Sequence, residues 1–161
     1  MYGPGDGDYF NLFREIERGR NAYFGNEHRW FSAIYVDDCV RAIIAAAPHE
    51  QTVGKGYFLC DGEPVTWGQF QEAIIAASGR RVRTLRLPEF LVDVAAAGGE
   101  LLTKLDKKPR LFNRQKALMS AQSAWTCSHQ AAHDDFGYQP KFFLEDGVRL
   151  ALKWYRDNGW L

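Results

Sequence analysis

Short apolar strands that run directly into amphipathic helices constrain the fold of this chain more than any other feature of its sequence. Residues 30–36 are β-branched and aromatic, and a helical pattern that includes Val40, Ile43 and Ile44 follows at once. Residues 56–60 and 82–87 predict two further strands, and each precedes a helical pattern. Beyond residue 88 only helical patterns occur. This order predicts an α/β chain, or an α+β fragment of one, with few short strands and about six to seven helices.

Capping residues mark the ends of the predicted helices. Asp8 is expected to cap the first helix, and Asp37 or Asp38 the second. Thr66, with Gln69 three residues later, forms a capping box for the third. The predicted helices are residues 9–18, the segment that Pro48 ends, 67–78, 88–105, a short helix after Asn113, a helix that follows Ser128 and ends near residue 136, and 144–158.

The first ten residues, MYGPGDGDYF, raise the question of a phosphate-binding loop. Such a loop needs a strand before it, a helix after it and glycines that let backbone N–H groups approach the anion. No strand pattern stands in front of these residues. Pro4 removes one N–H, and Asp6 and Asp8 would place negative charge beside a phosphate. We therefore interpret the segment as a turn.

Balanced charge and separated cysteines argue against several classes of function. Twenty basic residues match twenty acidic ones, so nucleic acid and anionic membranes are not expected as partners. The three cysteines are far apart, which argues against a disulfide framework or a zinc ribbon and favours a reducing compartment. The apolar stretches are much shorter than the roughly 20 residues of a membrane helix. We expect a soluble, cytoplasmic protein.

His129 and His133 are the best candidates for metal ligands. They stand four residues apart on one face of a predicted helix, with Asp134 adjacent and Cys127 upstream. However, the His-Glu-x-x-His pattern is absent, and no third ligand is fixed by spacing. Two histidines on a solvated helix face explain the pattern more simply, so no metal site is predicted. A Gly-x-Ser-x-Gly elbow is also absent.

Two arginines stand out as candidate ligands for an anionic substrate. Arg29 precedes a predicted strand, and Arg110 lies in a Lys-Lys-Pro-Arg loop. Their guanidinium groups match the geometry of phosphate oxygens. The tryptophans, Trp67 and Trp125 among them, are expected to fill the core rather than to stack on a ligand.

Several motifs occur in an order that is typical of one enzyme family. They are Tyr-Gly-Pro-Gly at residues 2–5, Val-Asp-Asp at 36–38, the strand and turn at 57–67, Phe-Gly-Tyr-Gln-Pro at 136–140 and Trp-Tyr at 154–155. Together they resemble the C-terminal part of extended short-chain dehydrogenase/reductases, the NAD-dependent epimerase/dehydratase family. Within the family, the motif sequences are most similar to those of 3β-hydroxysteroid dehydrogenase-like and sugar-nucleotide epimerase-like members. In this family the first motif is a turn that follows the sixth strand of the nucleotide-binding sheet.

Two motifs of that family are missing. Its cofactor fingerprint, Gly-x-x-Gly-x-x-Gly, does not occur, and no tyrosine is followed four residues later by a lysine. In the family that tyrosine acts as general acid and base, and the lysine lowers its pKa and holds the nicotinamide ribose. The resemblance therefore implies a longer parent that uses NAD or NADP, and a chain that binds neither cofactor tightly alone. Met1 at the turn fits a cut at a domain border.

The resemblance also implies roles for individual residues, none of them catalytic. Tyr2 and Gly3 would lie close to the nicotinamide as cofactor-binding residues. Tyr9 and Phe24 would belong to a wall of the substrate cleft. Arg29 would contact a substrate phosphate, although its spacing to the Val-Asp-Asp motif is two residues longer than in the family.

Residues 1–161 are thus expected to form a single C-terminal substrate-binding domain, without the N-terminal dinucleotide-binding domain. The substrate would be a small molecule, either a nucleotide sugar or a sterol-like compound, and the parent an epimerase, dehydratase or dehydrogenase. A non-catalytic binding or assembly protein on the same half-fold is the alternative, because the catalytic residues are missing. The apolar helix with Ile43 and Ile44 and the strand at 57–59 would leave an exposed patch, which predicts a homodimer.

Overall fold

The computed structural model describes residues 1–24, 27–88 and 122–161. Its α-helices are α1 (Gly7–Glu17), α2 (Val36–Ala46), α3 (Trp67–Ser78), α4 (Gln130–Phe136) and α5 (Leu144–Asp157). Its strands are β1 (Arg20–Phe24), β2 (Trp30–Phe31), β3 (Val65–Thr66), β4 (Arg83–Leu87) and β5 (Ala124–Trp125), and Glu50–Thr52 form a 3₁₀ turn. The α/β class is confirmed. Arg110 and the helices predicted at 88–105 and after Asn113 lie outside the described residues.

Local signals fix both ends of α3. Gln69 N donates a hydrogen bond to Thr66 Oγ1 (3.1 Å), and Thr66 N donates one to Gln69 Oε1 (2.7 Å), which is the predicted capping box. The helix ends at Gly79, whose φ of 64° lies in the left-handed region that favours glycine. The helix therefore begins and ends where the sequence predicts.

The strands form two small sheets. β1 and β4 pair in parallel, from Arg20 opposite Arg83 to Phe24 opposite Leu87. In the second sheet β2 is central, antiparallel to β3 and parallel to β5. An isolated parallel bridge between Tyr2 and Tyr35 lies outside both sheets.

The larger core lies between α1, α3 and α5. Its buried helical side chains are Phe13 and Ile16 of α1, Phe70 and Ile74 of α3, and Leu144, Val148, Ala151, Leu152 and Tyr155 of α5. A smaller core joins α2 to α4 through Ile34, Ala42, Ala132, Phe136 and Tyr138. Removal of these apolar faces from water, at about 25 cal/mol per Å², is the main force that holds the helices together. Among the described residues, no helix is both long and apolar enough to span a bilayer.

Two capping predictions were wrong. Asp6 caps α1, because its Oδ1 accepts a hydrogen bond from Asp8 N (2.9 Å), so Asp8 is the donor in this cap rather than the capping side chain. Neither Asp37 nor Asp38 caps α2, which begins one residue earlier at Val36 and has no side-chain cap. Both carboxylates instead lie in the first turn of the helix. Their negative charge there still interacts favourably with the positive, N-terminal end of the helix dipole.

One predicted strand is shorter in the structure than expected, and another is absent. Of residues 30–36, only Trp30 and Phe31 belong to a ladder. Residues 56–60 form no strand: a hydrogen bond from Asp61 N to Ala33 O (2.8 Å) attaches the end of this segment, and no described strand pairs along it. A strand exists only where a neighbour accepts and donates its backbone hydrogen bonds, and the sequence pattern carries no information on that neighbour.

Candidate substrate-binding site

The N-terminal turn is attached to the chain on both sides. Tyr2 N donates to Ile34 O (3.0 Å), and Val36 N donates to Tyr2 O (2.9 Å). From α5, the Tyr155 hydroxyl donates to Gly3 O (2.9 Å). Gly3 has a φ of 140°, and a Cβ there would lie 2.6 Å from Val36 Cγ1. Only glycine fits this position without a shift of the backbone.

Residues 1–8 and Val36 line an open cavity of about 400 Å³. The Tyr2 ring itself is buried, with centroids 5.3 Å from Phe70 and 5.8 Å from Tyr35. Its hydroxyl donates to Leu144 O (3.3 Å), and burial raises its pKa far above the ordinary tyrosine value. A cofactor at this turn would therefore meet main-chain atoms and not the phenol, and the cofactor-binding role of Tyr2 and Gly3 stays a prediction.

Tyr9 belongs to a partly buried aromatic cluster at the start of α3, called the aromatic wall below. The wall consists of Tyr9, Phe31, Trp67 and Phe70. The Tyr9 ring lies 5.3 Å from Phe70 and 6.1 Å from Trp67, and Phe31 lies 5.7 Å from Trp67. Burial raises the pKa of the Tyr9 hydroxyl, and two neighbouring carboxylates raise it further. Tyr9 thus adds a neutral hydrogen-bonding hydroxyl to an apolar surface.

Arg29 lies at the same end of α3 and is partly buried. Trp67 N donates to Arg29 O (2.9 Å), and Gly68 N donates to Glu27 O (2.9 Å). Residues 27–29 thus satisfy two of the N–H groups that the first turn of a helix leaves without an intrahelical partner. Through Trp67, the structure brings the predicted substrate residues Arg29 and Tyr9 into one neighbourhood.

Phe24 is the last residue of β1, opposite Leu87 of β4. Next to Leu87 on β4, Arg86 Nε lies 3.4 Å from Glu27 Oε2, so the parallel sheet also reaches the segment that carries Arg29. Arg110, the fourth predicted substrate residue, lies outside the described residues. Trp67 packs against the larger core, as the sequence predicts for the tryptophans, whereas Trp125 is 55% exposed and does not fill the core.

Asp38 joins α2 to the segment that precedes α5. Its Oδ2 accepts hydrogen bonds from Lys141 N (2.9 Å) and Phe142 N (2.8 Å), and its Oδ1 accepts one from Arg41 Nη1 (2.7 Å). The carboxylate is completely buried, and three donors satisfy it. The second aspartate of the Val-Asp-Asp motif therefore connects two distant segments.

Asp61 is a buried carboxylate that we did not single out from the sequence. It is 4% exposed, and its Oδ2 has no hydrogen-bond partner among the described residues. Burial raises the pKa of Asp61 to about 6, and the Asp38 and Glu145 carboxylates contribute to the rise. Its sequence context, Asp-Gly, predicts only a turn.

The two histidines take separate partners. His129 Nδ1 lies 3.1 Å from Cys60 Sγ, whereas His133 Nδ1 lies 3.1 Å from Tyr138 O. Burial raises the pKa of the Cys60 thiol, so it stays protonated at neutral pH. Within residues 1–24, 27–88 and 122–161, no group of three His, Cys, Asp or Glu side chains is placed to hold a metal ion.

Proteins of similar sequence carry the names of reductases and dehydrogenases. The chain is 29% identical to 2-alkyl-3-oxoalkanoate reductase of Shewanella oneidensis, over 92% of this chain and 40% of that protein. It is 28% identical to ceramide reductase of Caulobacter vibrioides, over 100% and 50%. It is 27% identical to short-chain dehydrogenase/reductase family 42E member 1 of Danio rerio, over 99% and 43%. The resemblance to short-chain dehydrogenase/reductases is confirmed. No protein-family model matches the chain.

Solved structures of epimerases share the fold of this chain. Epimerase Mth375 of Methanothermobacter thermautotrophicus matches 98% of the chain with a TM-score of 0.73 and 15% identity, over 41% of its own length. UDP-glucuronic acid 4-epimerase of Bacillus cereus in complex with NAD matches 98% with a TM-score of 0.66 and 15% identity, over 42% of its length. The chain thus spans half or less of each protein compared.

Proposed function

We propose that this chain is the substrate-binding part of an NAD(P)-dependent oxidoreductase or epimerase of the short-chain dehydrogenase/reductase type. The observation that carries the proposal is the aromatic wall beside Arg29 at the start of α3. An apolar surface with a neutral hydroxyl, next to a segment that carries an arginine, suits a small organic molecule that has an apolar body and a polar or anionic head. Residues 1–161 would form that substrate-binding domain.

The residues of this chain fit only one edge of a dinucleotide site. The glycine fingerprint and the Tyr-x-x-x-Lys pair are absent from the sequence, so the phosphate-binding and proton-transfer groups would belong to a longer protein. The turn at residues 2–5 would contribute main-chain atoms beside the nicotinamide. When bound, NAD or NADP supplies the hydride chemistry, and the residues of this chain position the substrate and exclude water from it.

An apolar substrate is the first choice. The sequence relatives at 28–29% identity are named for the reduction of an alkyl-oxoalkanoate and of a ceramide, and the aromatic wall matches such a molecule. A nucleotide sugar is the second candidate, and the guanidinium of Arg29 favours it. A non-catalytic binding or assembly protein is the alternative of another class, supported by the two missing motifs.

A chimaera tests the proposal: residues 1–161 follow the nucleotide-binding half of the Caulobacter ceramide reductase. We expect it to oxidise NADPH in the presence of a long-chain keto substrate, whereas the 161-residue chain alone shows no turnover and no micromolar binding of NAD or NADP in calorimetry. A chimaera that folds and binds NADPH but reduces none of a panel of keto lipids, sterols and nucleotide sugars would favour the non-catalytic alternative.

In the same chimaera, Arg29→Ala separates the two substrate classes. For a substrate with a phosphate or carboxylate, KM should rise roughly ten- to hundredfold, because a charge-assisted hydrogen bond of about 1.5–3 kcal/mol is lost. The Kd for NADPH should not change. Arg80→Ala, at an exposed arginine after α3 that pairs with Glu17, is the matched control. An unchanged KM with every substrate would remove Arg29 from the site and leave an uncharged, sterol-like substrate.

A further inference from the structure

A second cavity, of about 530 Å³, lies between the turn that begins at Asp61, the helix α3 and the start of α5. Four carboxylates line it: Asp61, Glu63, Glu72 and Glu145. No described lysine, arginine or histidine is part of its lining. In a chain with equal numbers of acidic and basic residues, this local excess of negative charge produces a field that attracts cations.

Asp61 distinguishes this cavity from an ordinary acidic surface. Glu63, Glu72 and Glu145 are exposed, and water screens their charges. Asp61, in contrast, is almost fully buried, and no described residue donates a hydrogen bond to its Oδ2. The rise of its pKa reports the free-energy cost of that burial. A buried acceptor without a donor calls for an explanation, and a ligand that supplies the donor is one.

The shape of the lining selects the kind of cation. No three carboxylates converge within reach of one metal ion among the described residues, and the cavity is far larger than a bare ion. The rest of its wall is largely apolar and consists of Val65, Ala73, Ala76, Phe143 and Leu144, together with Gln69. Such a wall packs against a hydrocarbon stem, while the buried carboxylate accepts hydrogen bonds from a charged head.

We propose that this cavity binds a small organic cation, a primary alkylammonium. Its N–H groups donate to the Asp61 carboxylate, its alkyl stem packs against Phe143 and Ala73, and the exposed glutamates attract it electrostatically. The cavity involves a different stretch of α3, residues 69–76, from the first-turn Trp67 of the aromatic wall. The proposal therefore does not depend on the reaction of a parent enzyme.

Calorimetry of the 161-residue chain with n-butylamine, at pH 7.5 and low salt, tests the proposal. n-Butanol is the uncharged ligand control. Mg²⁺ tests whether the same carboxylates bind a metal ion instead. We expect saturable binding of n-butylamine, no saturable binding of n-butanol, and at least tenfold weaker binding of n-butylamine to Asp61→Asn. Glu50→Gln, at an exposed carboxylate in the 3₁₀ turn outside the cavity, should bind as the unchanged chain does.

A second variant keeps the test decisive if Asp61→Asn does not fold. Glu72→Gln removes an exposed charge from the cavity wall and should weaken n-butylamine binding two- to fivefold. Equal binding of n-butanol, unchanged affinity in both variants, or tight Mg²⁺ binding that displaces n-butylamine would each overturn the proposal. No saturable binding of n-butylamine would overturn it as well.

Discussion

Tyr2 and Gly147 form one packed contact between the N-terminal turn and α5. A Cβ at Gly147 would overlap the Tyr2 hydroxyl, which is buried and donates to Leu144 O. Gly147→Ala should therefore lower the free energy of unfolding by about 1–3 kcal/mol, although alanine favours a helix more than glycine does. Urea denaturation measures the change.

Two companion variants separate overlap from helix propensity. Gly7→Ala, at a helical glycine with no atom within 4 Å of the added Cβ, should be neutral or stabilising. Tyr2→Phe in the Gly147→Ala background removes the overlapping oxygen and should recover part of the loss. If Gly147→Ala changes the free energy of unfolding no more than Gly7→Ala does, Tyr2 and Gly147 are not in tight contact.

The buried carboxylate of Asp61 should make the stability of the fold depend on pH. Its pKa is about 6 in the folded chain and 3.8 ordinarily, so the folded state binds the proton more tightly than the unfolded state does. Ionised Asp61 therefore lowers the free energy of unfolding at pH 7, and this penalty disappears as the pH falls from 6 to 4. Asp61→Asn should thus be more stable than the unchanged chain by about 1–3 kcal/mol at pH 7.5, with a gap that closes towards pH 4.

Urea denaturation at pH 4.5, 6 and 7.5 checks this prediction. Asp134→Asn, at an exposed carboxylate on α4, should leave stability nearly unchanged at all three values. A stability gap for Asp61→Asn that does not vary with pH would show that Asp61 is neutral throughout the range, or that a donor satisfies it.

At the scale of elements, α3 depends on its capping box. Thr66→Ala removes the hydroxyl that accepts from Gln69 N, and should cost about 1 kcal/mol, within the usual range of 0.5–2 kcal/mol for such caps. Thr66→Ser keeps the hydroxyl and should retain most of the stability. Thermal denaturation of both variants measures the difference, and equal melting temperatures for alanine and serine would remove the cap as a stabilising feature.

Elements with local signals were predictable, and those with distant partners were not. The bounds of α3 follow from Thr66, Gln69 and Gly79, which lie within or beside the helix. The true role of Asp38 depends on Lys141 and Phe142, more than a hundred residues away, so the Asp-Asp pair at a helix start looked like a cap. In the candidate site, Arg29 was predicted as an anion ligand from its position, and Tyr9 as a wall residue from the family resemblance. Only the fold shows that both adjoin Trp67.

At the scale of the whole molecule, α2 and the segment after it expose apolar side chains. Ile43 and Ile44 are 64% and 68% exposed, and Phe58 is 73% exposed. The sequence predicted this patch, and the structure leaves these side chains uncovered by the described residues. Apolar patches of this kind drive association. The proposed partner in a longer protein is the nucleotide-binding half, and for the isolated chain it is a second copy.

We therefore expect the isolated chain to form a two-fold dimer at tens of micromolar. Ile43→Glu with Ile44→Glu should shift the mass measured by light scattering to that of a monomer. Leu150→Glu, at an apolar position on α5 that is 36% exposed, should leave the dimer intact. A monomeric mass for the unchanged chain would contradict the prediction.

The hydrogen bonds that the Tyr155 hydroxyl donates to Gly3 O and Asp6 O cannot form until α5 has been synthesised. Its partners lie about 150 residues earlier, and α5 supplies much of the apolar surface against which α1 is buried. While the chain emerges from the ribosome, Phe13 and Ile16 have no final cover until α5 has been made. A contact of such high sequence separation slows folding, and α1 stays without its final cover until α5 has been made.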